Sequence, residues 1–215
     1  MKTAIFVVVM LCSLTALFAR AGKETALCMI CAMRGETAAE EVVATREFES
    51  KAYAFCSDKC AAEFDQDPDA YVFSMPRPAP AFRFTTLTGD SLLLASFRGE
   101  WVVLDFWATW CKPCVETMPE LDAWSKTGGV RAIGVSIDTG NDREKKVRKF
   151  LQKHPVGYPV ALDAAHQPAW ERYKVKVLPT VVLIDPQGQI VARQVGSVDL
   201  AALRRVIEAA KGKGG

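Results

Sequence analysis

The sequence predicts an α/β protein in which a sheet carries helices on both faces, preceded by a small cysteine-rich segment. Two observations favour this fold class. Along residues 82–211, short runs of branched and aromatic apolar residues alternate with segments whose apolar residues recur every three or four positions, which is the pattern of strands alternating with helices. Before them, a stretch with three prolines at alternating positions separates four cysteines from two others.

The elements of residues 82–211 follow from turn residues and periodicity. Gly89-Asp90 and Pro186-Gln187-Gly188 mark two hairpin turns. An apolar run at 101–107, broken only by Asp105, predicts a strand buried on both faces. The expected elements are strands at 82–86, 91–94 and 101–107, a helix through 115–124, a strand at 130–137, a helix through 147–151 that ends at His154, a strand at 158–162, a helical turn at 170–173, strands at 180–184 and 189–194, and a helix at 200–211.

The amino terminus, residues 1–21, has the pattern of a secretory signal peptide. Lys2 is followed by an uncharged stretch from Thr3 to Ala19, and Ala19-Arg20-Ala21 gives the small-x-small pattern of a cleavage site. We therefore expect cleavage after Ala21 and a periplasmic location. The alternative is an uncleaved membrane anchor, because the uncharged stretch is at the lower limit of length for crossing a bilayer.

The remaining chain is predicted to form a cysteine-rich domain at 22–73, a proline-rich linker at 74–81 and a larger domain at 82–215. The alternating prolines give the linker an extended, polyproline-like character. The composition, with 50% hydrophobic and 24% charged residues among 215, fits ordered globular domains. The net charge of +2, without a long basic run, makes nucleic acid an unexpected partner.

Cys111 and Cys114 belong to the motif WCKPC, which falls between the predicted buried strand and the helix that follows it. The first turn of a helix presents unpaired N–H groups and the positive end of the helix dipole, and both stabilise a thiolate. We therefore interpret Cys111 as the nucleophile. The two intervening residues let Cys114 attack a mixed disulfide formed at Cys111, which would leave the pair as a redox-active disulfide.

This motif and its surroundings resemble the thioredoxin superfamily, and within it the TlpA/ResA-like exported thiol:disulfide oxidoreductases. The matching stretches are VVLDFWATWCKPC at 102–114, IGVSID at 133–138 and VKVLPTVVLIDPQGQIV at 175–191. The resemblance implies a thioredoxin-like fold with a central mixed sheet and the reduction of protein disulfides. It also implies that the Leu178–Pro179 bond is cis, that Pro179 faces the CxxC motif, and that Trp110 shields the thiols and supports substrate contact.

Asp105 is the one charged residue in the predicted buried strand. Burial is costly for a carboxylate and raises its pKa. In thioredoxins the acid at this position is linked to proton transfer from the second cysteine, so we hypothesise that Asp105 assists deprotonation of Cys114. The chain departs from many TlpA/ResA-like proteins, which have Glu where Thr117 stands here. The alternative is a structural carboxylate paired with a neighbour.

Cys28, Cys31, Cys56 and Cys60 form two short pairs, CMIC and CSDKC, separated by 24 residues. Two such pairs can bring four thiolates around one metal ion. The stretch FESKAYAFCSDKC at 48–60 resembles the YHS/TRASH-like metal-binding domains, although their name-giving histidine is missing. The resemblance implies a small treble-clef-like module in which the four cysteines bind Zn²⁺ or Cu⁺. The alternative is two disulfides, because exported thiols are normally oxidised, but adjacent thioredoxin-like chemistry could keep them reduced.

The leading interpretation is an exported thiol:disulfide oxidoreductase, a reductase of periplasmic protein disulfides, with an appended soft-metal module. The expected partners are protein disulfide substrates, including cytochrome c or copper-centre assembly proteins, and a membrane electron donor. One alternative is a metal chaperone or sensor in which the CxxC pair regulates metal occupancy. A third class is a peroxidase, but such enzymes resemble one another in a lone peroxidatic cysteine and not in a WCxPC pair.

Overall fold

The computed structural model describes residues 24–34, 36, 38–127, 129–164, 166 and 168–212. The predicted signal peptide at 1–21 lies outside these residues. Within them, the structure contains no helix that is both long and apolar enough to cross a membrane.

The strands are β1 (Thr25–Ala26), β2 (Glu40–Glu41), β3 (Ala44–Phe48), β4 (Lys51–Phe55), β5 (Arg77–Pro78), β6 (Arg83–Thr86), β7 (Ser91–Leu93), β8 (Val102–Trp107), β9 (Arg131–Ser136), β10 (Val160–Leu162), β11 (Thr180–Ile184) and β12 (Gln189–Val195). The helices are α1 (Met29–Met33), α2 (Asp58–Gln66), α3 (Pro68–Tyr71), α4 (Lys112–Lys126), α5 (Arg143–Lys153), α6 (Ala169–Arg172) and α7 (Leu200–Lys211), with a 3₁₀ helix at Leu94–Phe97.

The larger part of the chain forms one mixed sheet of eight strands, in the order β5-β12-β11-β8-β9-β10-β6-β7. In its centre β8, β9 and β10 run parallel. The outer strands on both sides run antiparallel to their neighbours. Every residue of β8 is buried, as expected for a central strand covered on both faces. The predicted α/β fold with a central mixed sheet is confirmed.

The helices are distributed unevenly over the two faces of this sheet. The long helices α4, α5 and α7 pack into the same hydrophobic cluster as Val103 and Trp107 of β8. The opposite face, with Leu104 and Phe106, is covered by α6, the 3₁₀ helix and loops. The reason is topological: β8, β9 and β10 follow one another across the sheet in one direction, so the right-handed crossovers through α4 and α5 fall on the same side.

The cysteine-rich segment has a small core of its own. The β3–β4 hairpin turns at Glu49 and Ser50, which both have positive φ angles. Phe64 of α2 lies at the centre of the aromatic residues, with its ring centroid 5.1 Å from that of Phe55. Three of the four cysteines of the segment belong to the same buried cluster. The cysteines are thus part of the packing that holds this module together.

The linker predicted at 74–81 lies along the edge of the sheet. Arg77 and Pro78 form β5 and pair with Ile190 and Gln189 of β12. Further on, the Tyr173 hydroxyl donates a hydrogen bond of 3.0 Å to the carbonyl oxygen of Pro80. The extended backbone that the prolines favour is therefore used here to add an edge strand.

Polar contacts connect the cysteine-rich module to the larger part of the chain. Asp67, between α2 and α3, forms ion pairs of 3.1 Å with Lys174 and 3.8 Å with Lys176, which lie in the segment that leads into β11. The Arg193 guanidinium of β12 donates a hydrogen bond of 3.1 Å to the carbonyl oxygen of Ala70. Because partly exposed ion pairs contribute little stability, we treat these contacts as positioning the module.

A closer contact joins the end of α1 to the chain after β12. Gly196 has a φ angle of +75°, and a Cβ atom placed on it would lie 3.0 Å from the carbonyl oxygen of Met33. The N–H of Gly196 donates a hydrogen bond of 2.8 Å to the carbonyl oxygen of Pro179. Glycine is favoured at this position for two reasons, the left-handed backbone and the close approach of α1.

Candidate active site and cysteine cluster

Cys111 and Cys114 lie where the chain leaves the central strand and enters α4. Cys111 is the N-cap residue of this helix, and its sulfur accepts a hydrogen bond of 3.3 Å from the backbone N–H of Cys114. The two sulfurs form a disulfide. Cys111 is 5% exposed and Cys114 is 1% exposed. Both cysteines are therefore buried while they form the disulfide, and the helix terminus is positioned to stabilise a thiolate at Cys111.

Trp110, directly before Cys111, projects from the surface. Its side chain is 70% exposed, the highest value among the large hydrophobic residues in the described part of the chain. An exposed indole beside the reactive sulfur offers an apolar contact to a bound polypeptide. Its predicted roles in shielding the thiols and in substrate contact remain predictions.

A hydrogen-bonded anchor holds the loop before the cysteine pair. The buried Asp138 carboxylate accepts hydrogen bonds from the backbone N–H of Thr109 at 2.9 Å and from its hydroxyl at 2.6 Å. It also accepts one from the Ser136 hydroxyl at 2.8 Å. Sequence analysis did not assign this role to Asp138, although the residue closes the IGVSID stretch. The sequence did contain one indication of this role: Asp138 directly follows the predicted strand at 130–137, as Thr109 follows the one at 101–107, and the ends of neighbouring parallel strands meet at the same edge of a sheet.

Asp105 lies on the face of β8 that carries Val103 and Trp107, because side chains alternate along a strand. This is the face against which α4 and its Cys114 pack. Asp105 is 1% exposed, and burial raises the pKa of its carboxyl group to about 7. The Tyr158 hydroxyl lies 3.5 Å from Oδ2 and partly opposes this rise, while Oδ1 has no hydrogen-bond partner in the described residues.

Pro179 lies at the same end of the sheet as the cysteine pair. The Leu178–Pro179 bond is cis, as the family resemblance implied. β11 begins at the next residue, Thr180, which pairs with Phe106 near the end of β8. The strand that follows the proline and the strand that leads to Cys111 are thus neighbours in the sheet.

The sulfur atoms of Cys28, Cys31, Cys56 and Cys60 all lie within 4.8 Å of one another. The Cys31 sulfur is 3.5 Å from that of Cys56, and the Cys56 sulfur is 3.8 Å from that of Cys60. All four are free cysteines, and Cys56 alone among them is not fully buried. The structure brings together every residue that the sequence predicted for this cluster.

The cluster is electrostatically unfavourable as a set of bare thiolates. Burial and the neighbouring Cys28 charge raise the pKa of Cys31 to about 11. The Glu40 carboxylate beside Cys56 raises the pKa of that thiol as well. Burial also opposes ionisation of Cys28, but hydrogen bonds from the backbone N–H groups of Cys56 and Cys31 outweigh it and lower the Cys28 pKa to about 7. A bound cation would relieve the repulsion among the sulfurs.

The fold and the cysteine pair define the class of protein: a thioredoxin-like α/β protein with a disulfide at the start of the helix that follows the central strand. The chain belongs to the AhpC/TSA family, which matches residues 75–193. The cysteine-rich module lies before the matched residues.

Individual relatives narrow this class. Thiol-disulfide oxidoreductase ResA of Geobacillus kaustophilus is 34% identical over 136 residues, which cover 62% of this chain and 76% of the relative. ResA of Bacillus cereus is 37% identical over 123 residues, 56% and 69% of the two chains. A crystal structure from Chlorobium tepidum, assigned as thiol:disulfide interchange protein DsbE, has a TM-score of 0.56 and 33% identity, covering 64% of this chain and 97% of its own. The chain is a thiol-disulfide oxidoreductase, and the metal chaperone or sensor alternative is not favoured.

Proposed function

We propose that this oxidoreductase is an exported reductase of protein disulfides, with Cys111 as the nucleophile and Cys114 as the resolving thiol. The observation that carries the proposal is the position of the two cysteines: Cys111 caps the helix, whereas Cys114 lies inside its first turn and is almost completely buried. Trp110 supplies an apolar contact beside Cys111, and Pro179 borders the same edge of the sheet.

The reaction begins with the reduced pair. The Cys111 thiolate attacks one sulfur of the substrate disulfide, which forms a mixed disulfide and releases the other substrate sulfur as a thiolate. The Cys114 thiolate then attacks the Cys111 sulfur and releases the second substrate sulfur. The substrate gains two electrons and the Cys111–Cys114 pair becomes a disulfide. A donor dithiol must return two electrons to the pair before the next cycle.

Asp105 is proposed to accept the proton of Cys114 in the second step. Its carboxyl faces the side of the sheet on which Cys114 is packed, and it has a pKa of about 7 because it is buried. A general base works best when its pKa is close to the working pH. Among the described residues, the Asp105 carboxyl has the Tyr158 hydroxyl as its hydrogen-bond partner, and none of them places a cation beside it that would favour the charged form.

The four-cysteine cluster is proposed to bind Zn²⁺ or Cu⁺ through Cys28, Cys31, Cys56 and Cys60. The donor set fits, since four sulfurs within 4.8 Å of one another match the soft ligands that these ions prefer. When bound, the metal would crosslink α1 to the start of α2 and so stabilise the small module. The residues themselves form a pocket of thiols that is closed except at Cys56.

The proposed location is the periplasm, reached through the signal peptide at residues 1–21 and retained at the membrane if that segment is not cleaved. Disulfide substrates persist in such a compartment. The proposed partners are therefore exported protein disulfides, with cytochrome c and copper-centre assembly proteins as the expected substrates, and a membrane protein that supplies electrons.

An insulin-reduction assay tests the proposed activity. With dithiothreitol as donor, we expect the full chain to accelerate precipitation of the insulin B chain and the Cys111→Ser variant to give the uncatalysed rate. Absence of acceleration by the intact, folded chain would reject the reductase proposal. A parallel assay with hydrogen peroxide separates the peroxidase class, because a reductase of protein disulfides should consume peroxide no faster than the Cys111→Ser variant does.

A further inference from the structure

The cysteine cluster contains pairs of sulfurs that are close enough to oxidise. Cys56 belongs to two pairs whose sulfurs lie within 4 Å of each other, 3.5 Å to Cys31 and 3.8 Å to Cys60. A disulfide needs a sulfur separation of about 2.05 Å, so closure of the Cys31–Cys56 pair requires a movement of about 1.5 Å. In an oxidising compartment, closure of this pair would remove two ligands from the proposed metal site.

The accessibility of the four sulfurs selects one of them for attack. Thiol–disulfide exchange proceeds with the incoming sulfur approaching along the line of the bond being broken, and its rate depends on access to the attacked sulfur. Cys31 is buried in the module, whereas Cys56 is partly exposed. In a Cys31–Cys56 disulfide, attack from solvent falls on Cys56 and expels Cys31 as the leaving thiolate.

The module is held at the active-site end of the larger domain. α1, which contains Cys31, ends at Met33, and the Met33 carbonyl approaches Gly196. Gly196 in turn donates a hydrogen bond to the carbonyl oxygen of Pro179, beside the strand that leads to Cys111. The part of the chain that carries the oxidisable cysteines is thus attached next to the site that reduces disulfides.

We propose that the module itself is a substrate: the Cys111 thiolate reduces a Cys31–Cys56 disulfide of the same chain or of a second copy. Attack on the Cys56 sulfur forms a Cys111–Cys56 disulfide and releases the Cys31 thiolate. Cys114 then attacks Cys111, releases the Cys56 thiolate and leaves Cys111–Cys114 oxidised. The balance is two electrons from one dithiol to one disulfide, and the donor dithiol restores the pair. This inference rests on the proposed reductase activity.

The test compares the metal-free full chain with its Cys111→Ser variant. Both are oxidised with diamide and desalted, then exposed to the same low concentration of dithiothreitol. After acid quenching, maleimide labelling and peptide mass spectrometry count the thiols at Cys31 and Cys56. We expect these thiols to return at least about tenfold faster in the intact chain, because the Cys111–Cys114 dithiol is held next to the module, whereas dithiothreitol must reach the Cys56 sulfur from dilute solution.

Two further arms identify the attacked sulfur and the source of the substrate. The Cys114→Ser variant should accumulate a Cys111–Cys56 crosslink. Adding Cys56→Ser to this variant should abolish the crosslink, whereas adding Cys28→Ser should leave it in place. A rate independent of protein concentration indicates reaction within one chain, and a proportional rate indicates a second copy; both support the proposal. If the intact chain reduces insulin but recovers the Cys31 and Cys56 thiols no faster than the Cys111→Ser variant does, the proposed reduction of the module is wrong and the reductase activity is unaffected. Failure with insulin as well would reject both.

Discussion

Replacement of the buried Asp105 by Asn tests the electrostatics of the site. Burial raises the pKa of this carboxyl from 3.8 to about 7. At about 1.4 kcal/mol per pH unit, the difference corresponds to about 4 kcal/mol. The folded chain keeps the proton of Asp105 between these two pH values, while the unfolded chain has already lost it. Stability therefore falls as pH rises from about 4 to about 7 and stays lower above that range.

Asn carries no charge in either state, so the Asp105→Asn variant lacks this pH-dependent loss. We expect the stability of the variant relative to the original chain to increase by up to about 4 kcal/mol between pH 4 and pH 8. The assay is urea denaturation of the oxidised protein at each pH, followed by circular dichroism. A stability difference that stays constant with pH would refute the assignment of a neutral, buried carboxyl.

Asp122→Asn serves as a control of opposite sign. The Lys126 ammonium and the backbone N–H of Gly157 lower the pKa of Asp122. Its carboxylate therefore stabilises the fold at neutral pH, and this contribution is lost as pH falls through the lowered pKa. The Asp122→Asn variant should lose stability relative to the original chain at pH 8 and approach it in acid. The two variants together distinguish a specific effect of Asp105 from a general response of the sheet to pH.

Three other variants test contacts seen in the structure. Tyr158→Phe removes the hydroxyl that partly opposes the raised pKa of Asp105, so the folded-state pKa should rise and the upper end of the pH range over which stability falls should move upward in the same denaturation series. An unchanged upper end would show that the 3.5 Å contact contributes no energy. Asp138→Ala should lower the free energy of unfolding by about 1–3 kcal/mol, because the donors of Thr109 and Ser136 lose their acceptor. An unchanged urea midpoint would contradict the proposed stabilisation of the loop by Asp138. Gly196→Ala should lower the free energy of unfolding more than Gly89→Ala does. Both substitutions cost about 1–2 kcal/mol because both glycines have a left-handed backbone, but only the new methyl group at Gly196 would meet a close neighbour, the Met33 carbonyl oxygen. Equal losses would argue against the α1 contact.

The fold was predictable where the signal is local. The apolar run at 101–107 and the three-residue steps at 115–124 correspond to β8 and α4, and the helix begins earlier, directly after Cys111. Gly and Pro residues at the turns marked both hairpins of the larger domain. These patterns show which positions of a segment are buried and which are exposed. They therefore identify the helices and strands, but they do not specify which face of the sheet a helix covers.

The two cysteine groups were also predictable, because one local turn brings together each pair of cysteines at short spacing, and two such pairs in one segment are the pattern of a shared metal site. Their surroundings were not. Tyr158 meets Asp105 across 53 positions of sequence, and Asp138 meets Thr109 across 29. Such contacts depend on the order of strands in the sheet, which periodicity does not contain. The same limit applies to β5: the prolines predicted extended chain, but its partner β12 lies more than a hundred residues away.

The proposed reaction depends on two roles: Cys111 attacks the substrate disulfide, and Cys114 resolves the mixed disulfide. Its most direct test is the Cys114→Ser variant, expressed from the full sequence in a bacterial host and recovered under acid quench without reductant. Mass spectrometry of the trapped species should find partner polypeptides linked through Cys111, released by dithiothreitol and absent from a Cys111→Ser/Cys114→Ser control. Recovery of the variant with Cys111 unlinked, or with partners equally abundant in the control, would contradict the account.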